Sequence, residues 1–575
     1  MKVAHFSDGD NYGALGAAYE LHKKMLDQGI ESRFFLRIKS REDACIEEIS
    51  DNTVLYRLRQ LIHTIYFDRN RTDTTMFFSY NRLGIELTED ILSRLREYDI
   101  IHFHWIARFL NNEDIRKIIS LGKPIVWTMH DFNPMTGGCH YPDKCIKFFS
   151  DCSECPQLAI KKLNVTSFVL KDKRCVYGNK IHVVVASKWL KKLVERSYVF
   201  SDAKCSLIPI GIDVEHFRIL NRKKCKKNLG FSEDTKIILM GAQSVKAKTK
   251  GYAELVEIFG ALKEEQYIRR LMECDKIKLV SFGYGGEVFE SLGIPNVNMG
   301  FINDRDQLCE IYNAADVFIF PSTQETFGMT AVESMACGTP VIAYNVCAMQ
   351  DIIINGINGY KIDRGNNKEM VQILVKVLRD AGGAMDPYSC RKRIVEKYSL
   401  QYETNEMLHL YDHICHNFID DCRSIAERNN NEMLNLFESM CTYEIMERSA
   451  INQKNEETLQ SILFPLSPAH IIPEKKIDLL LKNEILRKQD EIIIYGAGHI
   501  GQKIMAELEK NGMNIIEIWD TDNSKWDSRI GEYIVKKPEK KCAGWSKKII
   551  VASAKCVEIS KILDGFEYQF GVDYI

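Results

Sequence analysis

The sequence predicts an α/β protein with two facing doubly wound domains, a helical linker and a smaller third domain. Short β-branched runs alternate with amphipathic stretches from the N-terminus to about residue 400, and most of these runs end at a Gly, Pro or polar residue. The chain of 575 residues also exceeds the roughly 250–300 residues at which single hydrophobic cores stop growing. Several parallel-sheet domains are therefore expected.

The N-terminal α/β domain is predicted over residues 1–205. Its expected strands and first helix are Lys2–Phe6, Ile100–Phe103, Ile125–Thr128, His182–Ala186 and a helix near Gly16–Gln28. An apolar run then ends in turn residues at Leu207–Asp213, and a basic stretch follows it. The chain is expected to cross into the next domain there.

The second α/β domain is predicted over residues 206–400. Its expected strands are Lys236–Gly241, Lys278–Gly283, Val317–Pro321 and Pro340–Ala343. In open parallel sheets, ligands bind beyond the carboxyl ends of the strands, so the loops after these strands are the expected location of the site.

Residues 401–485 are predicted to form a helical, charged linker. Residues 486–575 are predicted to form a third, Rossmann-like domain. In the third domain Gly496, Gly498 and Gly501 lie between a predicted strand and a helix, and Asp520 follows the next strand. That is the context of a dinucleotide-binding fingerprint. Binding of NAD or another nucleotide and a purely structural role both remain open.

The composition of the chain argues against a nucleic-acid-binding protein and against a membrane-spanning one. The formal net charge is -2, with 77 basic and 79 acidic residues, so no overall field favours nucleic acid. The opening run is too short for a signal peptide, and no stretch approaches the roughly 20 apolar residues of a membrane span. We expect a cytoplasmic protein with a small-ligand pocket; contact with the inner face of the membrane stays open.

The most informative segment is Phe320–Pro340. A strand is expected to end at Pro321 and a helix to begin near Gly328, so the amides of Gly328, Met329 and Thr330 would point out of the helix N-terminus. Such amides and the helix dipole favour a phosphate group. Glu325 and Glu333 flank them and would suit a ligand with hydroxyl groups on both sides.

This segment resembles the family 4 glycosyltransferases, which are retaining enzymes of the two-Rossmann GT-B architecture. Their donor domain carries two glutamates with seven residues between them, as Glu325 and Glu333 do. The resemblance implies that Glu325 contacts the transferred sugar and Glu333 the ribose hydroxyls. It also implies that Phe327, beside the helix amides, belongs to the donor site.

The resemblance extends over about residues 1–400. It implies that His130 contacts the sugar or stabilises the reacting centre, and that Lys250 binds the donor diphosphate and neutralises the leaving group. Gly13 and Gly16 would let the backbone approach a ligand, although the family often has a Gly-Gly pair there. Gly241–Ser244 stands where the family commonly has an arginine; substitution by Lys246 or Lys248, and binding of the phosphate by lysine and amides alone, both remain open. The family generally works without a catalytic metal, and none is expected here.

Four cysteines, Cys139, Cys145, Cys152 and Cys155, fall within seventeen positions. Only one pair has a short zinc-like spacing, so a structural zinc site and reduced thiols that pack a loop both remain open. If zinc is present, four thiolates would leave no open position for catalysis.

The leading prediction is a glycosyltransferase that moves a sugar from a nucleotide diphosphate sugar to a hydroxyl of a glycan or lipid-linked acceptor in polysaccharide biosynthesis. A nucleotide-sugar epimerase or hydrolase is one alternative. A non-catalytic nucleotide-sugar sensor or scaffold is another. The third domain resembles the small Rossmann-like domains appended to sugar-modifying enzymes.

Overall fold

The computed structural model describes residues 1–11, 13–49, 53–73, 76–161, 164–380, 385–418, 434–442, 487, 489–497, 499–541 and 546–551. The chain divides into two compact units. The first comprises residues 1–50, 73–150 and 173–425, and the second comprises 51–72, 151–172 and 426–575.

The described strands form three sheets and are numbered in chain order. They are β1 (Lys2–Gly9), β2 (Glu31–Ile38), β3 (Ile46–Glu48), β4 (Ile100–Phe103), β5 (Ile125–Thr128), β6 (His182–Val185), β7 (Cys205–Leu207), β8 (Lys236–Ser244), β9 (Ile277–Tyr284), β10 (Asn296–Asn298), β11 (Val317–Phe320), β12 (Val341–Tyr344), β13 (Gly359–Ile362), β14 (Glu491–Tyr495), β15 (Asn514–Trp519), β16 (Arg529–Ile530), β17 (Tyr533–Lys536) and β18 (Lys548–Val551).

The described α-helices are numbered in the same way. They are α1 (Gly13–Asp27), α2 (Val54–Ile62), α3 (Glu89–Leu95), α4 (Asn112–Ile119), α5 (Val165–Val176), α6 (Lys188–Arg196), α7 (Arg222–Asn228), α8 (Tyr252–Leu262), α9 (Gln266–Glu273), α10 (Arg305–Ala314), α11 (Met329–Ala336), α12 (Met349–Ile352), α13 (Asn367–Arg379), α14 (Pro387–Tyr398), α15 (Leu400–His416) and α16 (His499–Lys510). None of them is long and apolar enough to span a membrane.

The first unit contains two parallel, doubly wound sheets. One has seven strands in the order β3-β2-β1-β4-β5-β6-β7, and the other has six in the order β10-β9-β8-β11-β12-β13. Each order runs outward in both directions from a central strand, which creates a switch point where ligands bind beyond the strand ends. The predicted parallel α/β architecture is confirmed. The central strands are buried along nearly their whole length, as both faces carry helices.

Helix α15 begins at the end of the second domain and returns to the first. Its Met407 and Tyr411 are fully buried in one core cluster with Val3, Leu21 and Met25. The sequence analysis assigned these residues to the linker. Helical periodicity identifies an apolar face but not the surface that covers it, and here that surface belongs to α1 and the first sheet.

The second unit contains the third sheet, in the order β16-β17-β15-β14-β18. It also includes residues 51–72 and 151–172, which the sequence analysis placed within the N-terminal domain. These segments pack with the helical residues 434–442: Arg59 pairs with Glu438 at 3.3 Å, and the rings of Tyr66 and Phe67 contact Phe437. The compact unit therefore differs from the contiguous domain predicted at 486–575.

Candidate active site

The loop between β11 and α11 carries the predicted donor-binding residues. Gly328 is the N-cap of α11 and has a left-handed backbone with φ of 98°. A Cβ atom there would lie 2.8 Å from Met349 Cε, the flexible end of a side chain that can move aside, so it is the left-handed backbone that favours glycine. No side chain caps this helix, and the amides of Gly328, Met329 and Thr330 have no hydrogen-bond partner within the described residues. These amides can donate hydrogen bonds to an anionic ligand.

Lys250 and Glu325 are brought together by two loops of the second domain. Lys250 Nζ donates to Glu325 Oε2, and both side chains are largely buried. The loops are locked where Gly251, with φ of 76°, approaches Pro321: an added Cβ would lie 2.0 Å from the Pro321 carbonyl oxygen. Glu325, the predicted sugar-contacting carboxylate, and Lys250, the predicted diphosphate-binding cation, are therefore in direct contact.

Glu333 lies one turn into α11. Its Oε2 atom accepts a hydrogen bond of 2.7 Å from Tyr312 Oη of α10. Burial raises the pKa of Glu333, and the bond from Tyr312 and the positive charges of Arg305 and His216 oppose that shift. A partly buried carboxylate with remaining acceptor capacity is suited to hydroxyl donors such as those of a ribose.

Phe327 differs from its neighbours in this loop. Its side chain is 2% exposed and packs in the core of the second domain, with its ring 6.0 Å from that of Tyr398. A ligand contact from this residue would therefore come from its backbone.

His130 follows β5 of the first domain and lines a cavity. Burial lowers the pKa of His130 to about 4, so the ring is neutral near pH 7. The cavity lies beyond the carboxyl ends of β4 and β5, where ligands bind in such sheets. Its lining combines aromatic and polar side chains, among them Tyr80, Trp105, Asn112, Asp131, Asn133 and Lys173.

Asp131 organises the wall of this cavity. Its Oδ2 atom faces His140 Nδ1 at 2.6 Å and accepts a bond from Trp105 Nε1, while Oδ1 accepts the amide of Asn133 at 2.8 Å. Burial alone would raise the pKa of Asp131, but His140 and these donors bring the net pKa below its usual value. The carboxylate therefore stays ionised and fixes the loop that carries His130.

Direct contacts join the two domains at the site. Thr326 Oγ1 donates to the carbonyl oxygen of His130 at 2.7 Å. The amide of Asp143 donates to Gln324 Oε1 at 3.1 Å. The loop that holds Glu325 is thus fastened beside the loop that holds His130, so the two predicted catalytic residues lie on adjoining loops.

Gly13 and Gly16 open helix α1. Gly13 is left-handed with φ of 58°, whereas a Cβ on Gly16 would make only an ordinary contact 3.5 Å from the backbone of Asn11. Further along α1, Ala17 packs in the core cluster of the second domain, and Glu20 pairs with Arg305 at 3.2 Å. The N-terminal turn of α1 therefore lies at the junction of the two domains.

The predicted fingerprint of the third sheet is only partly described, because Gly498 lies outside the described residues. Gly496 is left-handed with φ of 124° after β14, and Gly501 lies within α16. Asp520 Oδ2 accepts the amide of Ala497 at 2.8 Å and pairs with Lys525 at 3.2 Å. The carboxylate thus braces the glycine loop, and nucleotide binding there stays a prediction.

The four clustered cysteines divide between the units: Cys139 and Cys145 belong to the first, and Cys152 and Cys155 to the second. Structural zinc at these residues stays a prediction.

Across the described ranges, one group of three side chains has potential metal-ligand atoms within 4.8 Å of one another: His5, His102 and His104. Both ring nitrogens of His102 already face hydroxyl groups, Nδ1 that of Tyr411 and Nε2 that of Thr128. These contacts make His102 part of a hydrogen-bonded layer.

Sequence reasoning missed Tyr312, Asp131 and His104 as parts of the site. Tyr312 lies in a different helix from Glu333, and nothing in their spacing of 21 residues links them. A usable signal existed for the histidines, because His5, His104 and His130 all lie at or just after the ends of predicted strands. Neighbouring parallel strands place such positions side by side.

The chain is similar to known glycosyltransferases in sequence and in fold. Residues 221–397 match the family model described as glycosyl transferases group 1. WcaC of Escherichia coli (strain K12), provisionally assigned as a colanic acid biosynthesis glycosyl transferase, is 24% identical over 425 residues, which cover 70% of this chain and 97% of that protein. CapM of Staphylococcus aureus, a capsular polysaccharide biosynthesis glycosyltransferase, is 25% identical over 40% of this chain and 61% of its own length.

Among solved structures, Anabaena Alr3699/HepE in complex with UDP-glucose aligns with a TM-score of 0.50 at 14% identity, over 72% of this chain and 100% of that one. A glycosyltransferase from Rickettsia africae ESF-5 also aligns with a TM-score of 0.50, at 17% identity, over 72% of this chain and 99% of that one. Both likenesses concern the fold.

Proposed function

Since this chain is a nucleotide-sugar-dependent glycosyltransferase of the GT-B fold, we propose that it transfers its sugar with retention of configuration to a hydroxyl of a glycan or lipid-linked acceptor. The names of WcaC and CapM support a role in polysaccharide biosynthesis. The observation that carries the proposal is the pair of glutamates, Glu325 and Glu333, on either side of unpaired amides at the start of α11.

In this mechanism the donor diphosphate lies against the α11 amides and Lys250. The amides and the lysine neutralise the negative charge that grows on the leaving nucleotide diphosphate. Glu333 binds hydroxyl groups on the nucleoside side. Glu325 binds the sugar, and its present bond to Lys250 would be exchanged for contacts with the donor.

The acceptor is proposed to approach the sugar from the first domain, on the side where the cavity beside His130 opens. The cavity has a volume of about 30 Å³, so its polar lining would contact an acceptor hydroxyl group rather than enclose a sugar ring. Attack from the face that the leaving group vacates gives retention. A neutral His130 would help to position the sugar rather than supply charge.

A panel of UDP-, GDP- and ADP-sugars tests the donor site. Thermal stabilisation and slow hydrolysis are measured for the wild type, Glu333→Ala and a control, Glu396→Ala, which removes an exposed glutamate of α14. We expect one donor to stabilise the wild type and the control but not Glu333→Ala. The proposal would be refuted if a donor stabilised Glu333→Ala as much as the wild type, or if no donor bound at all.

Two further readouts separate the alternatives. A sensor or scaffold would bind the donor without turnover, and an epimerase would change the sugar without releasing free nucleotide diphosphate. NMR of the product linkage tests retention, because a retaining enzyme gives the anomeric configuration of the donor.

A further inference from the structure

Three buried histidines of the first domain form a continuous hydrogen-bonded row that ends at the cavity. His5 lies in β1, His104 directly follows β4, and His130 lies just beyond β5. His5 Nδ1 is 3.0 Å from His104 Nε2, and His104 Nδ1 is 3.4 Å from His130 Nε2. The three side chains are between 0% and 8% exposed, so water does not compete for these bonds.

Each ring in the row is neutral. Burial, reinforced by the neighbouring histidines, lowers the pKa of His5 and His104 well below the ordinary value, and burial lowers the pKa of His130 as well. A neutral imidazole has one N–H donor and one lone-pair acceptor. The position of one proton therefore decides which ring donates and which accepts in every hydrogen bond of the row.

The end of the row at His5 decides that direction. His5 Nε2 is buried and has no hydrogen-bond partner within the described part of the chain. A buried N–H without a partner is rarer in proteins than an acceptor without one. The proton of His5 therefore belongs on Nδ1, from which it is donated to His104 Nε2.

From this direction we propose that His5 and His104 are positioning residues that hold His130 in the tautomer with its proton on Nδ1. His104 then donates from Nδ1 to His130 Nε2. The remaining nitrogen of His130 makes no hydrogen bond within the described residues and is the one available to a ligand. His130 thus offers a donor, which suits a hydroxyl or phosphoryl oxygen, and cannot act there as a base.

The opposite direction would change the chemistry of the site. His130 would then donate Nε2–H to His104 and present a bare lone pair to the ligand, and His5 would bury an unpaired N–H. The tautomer does not depend on catalysis, but its value to the reaction rests on the proposed glycosyl transfer.

Proton-detected nitrogen NMR of the full chain with ¹⁵N-labelled histidine tests the tautomer directly. His130 is assigned from the signal lost in His130→Gln. We expect Nδ1 of His130 to carry the proton in the wild type and both tautomers to be populated in His104→Leu. A proton on Nε2 of His130 in the wild type would overturn the proposal, whether or not the protein transfers sugar.

Kinetics test the positioning role. In His104→Asn the side-chain amide lies near the lost Nδ1 and keeps a donor for His130, whereas His104→Leu removes it. We expect His104→Leu to lower kcat about tenfold with an unchanged KM for the donor sugar, and His104→Asn to recover most of that loss.

The matched control is His22→Leu, which removes a buried histidine that bonds Ser32 outside the row. Equal losses in His104→Leu and His104→Asn, or a loss of the same size in His22→Leu, would show that His104 acts only through packing. If the wild type shows no transfer, the glycosyltransferase proposal fails while the NMR result still decides the tautomer.

Discussion

Tyr312 donates a hydrogen bond to Glu333 from a separate helix, with 2.7 Å between Oη and Oε2. The tyrosine is fully buried, so its hydroxyl holds the carboxylate in one rotamer without competition from water. Donor recognition therefore depends on α10 as well as on α11.

Tyr312→Phe is expected to weaken donor-sugar binding by roughly 10- to 100-fold, because a hydrogen bond to a charged group contributes on the order of 1.5–3 kcal/mol. Isothermal titration with the donor found in the panel measures the change. The control is Tyr267→Phe, which removes a hydroxyl bonded to the carbonyl oxygen of Leu378 in the same domain. Equal affinity of Tyr312→Phe and wild type would contradict the assigned role of Glu333.

Lys250→Ala is expected to lower kcat by about 100-fold, since it removes a cation from the growing negative charge of the leaving group. Initial rates at saturating donor measure this effect. Lys276→Ala provides the control, because Lys276 is half exposed, pairs with Asp234 in the same domain and has no predicted role in the site. The prediction fails if both variants lose activity to the same extent.

Gly251→Ala is expected to destabilise the protein by about 1–3 kcal/mol or more and to weaken donor binding, because the added methyl group overlaps the Pro321 carbonyl oxygen. Gly260→Ala is the control: no atom lies within 4 Å of its added Cβ, and it should stabilise α8 by about 0.5–1 kcal/mol. Chemical denaturation compares the two. A stable Gly251→Ala would mean that the two loops can separate without loss.

Glu403 should make stability depend on pH. Burial raises the pKa of Glu403 to about 8, although its Oε2 accepts the amide of Gly211 at 2.8 Å. The unfolded chain loses this proton near pH 4.5 and the folded chain near pH 8. The contribution to stability is therefore complete below pH 4.5 and is lost as the pH rises to about 8.

Glu403→Gln keeps an acceptor for Gly211 but cannot ionise. Melting temperatures between pH 5 and pH 9 should fall by several degrees more in the wild type than in this variant. Glu406→Gln, one turn along α15, should follow the wild type. Parallel curves for wild type and Glu403→Gln would show that Glu403 does not lose its proton in this range.

The donor loop could be predicted because its signals are local. The strand end at Pro321, the helix start near Gly328 and the spacing of Glu325 from Glu333 all lie within one short segment, so they can be predicted without knowledge of the tertiary contacts. The row from His5 to His130 could not be derived in this way, since it needs the order of the strands. The packing of α15 likewise depends on a partner far away in sequence.

The return of α15 to the first sheet has a consequence for how the protein is made. Met407 and Tyr411 complete a core that begins at Val3, so that core stays open on the ribosome until the entire second domain has emerged. At roughly 5–20 residues per second, this delay is on the order of ten seconds or more. During it, the apolar surface of α1 that α15 later covers is exposed, and a fragment that ends before Leu400 would retain that exposed surface permanently.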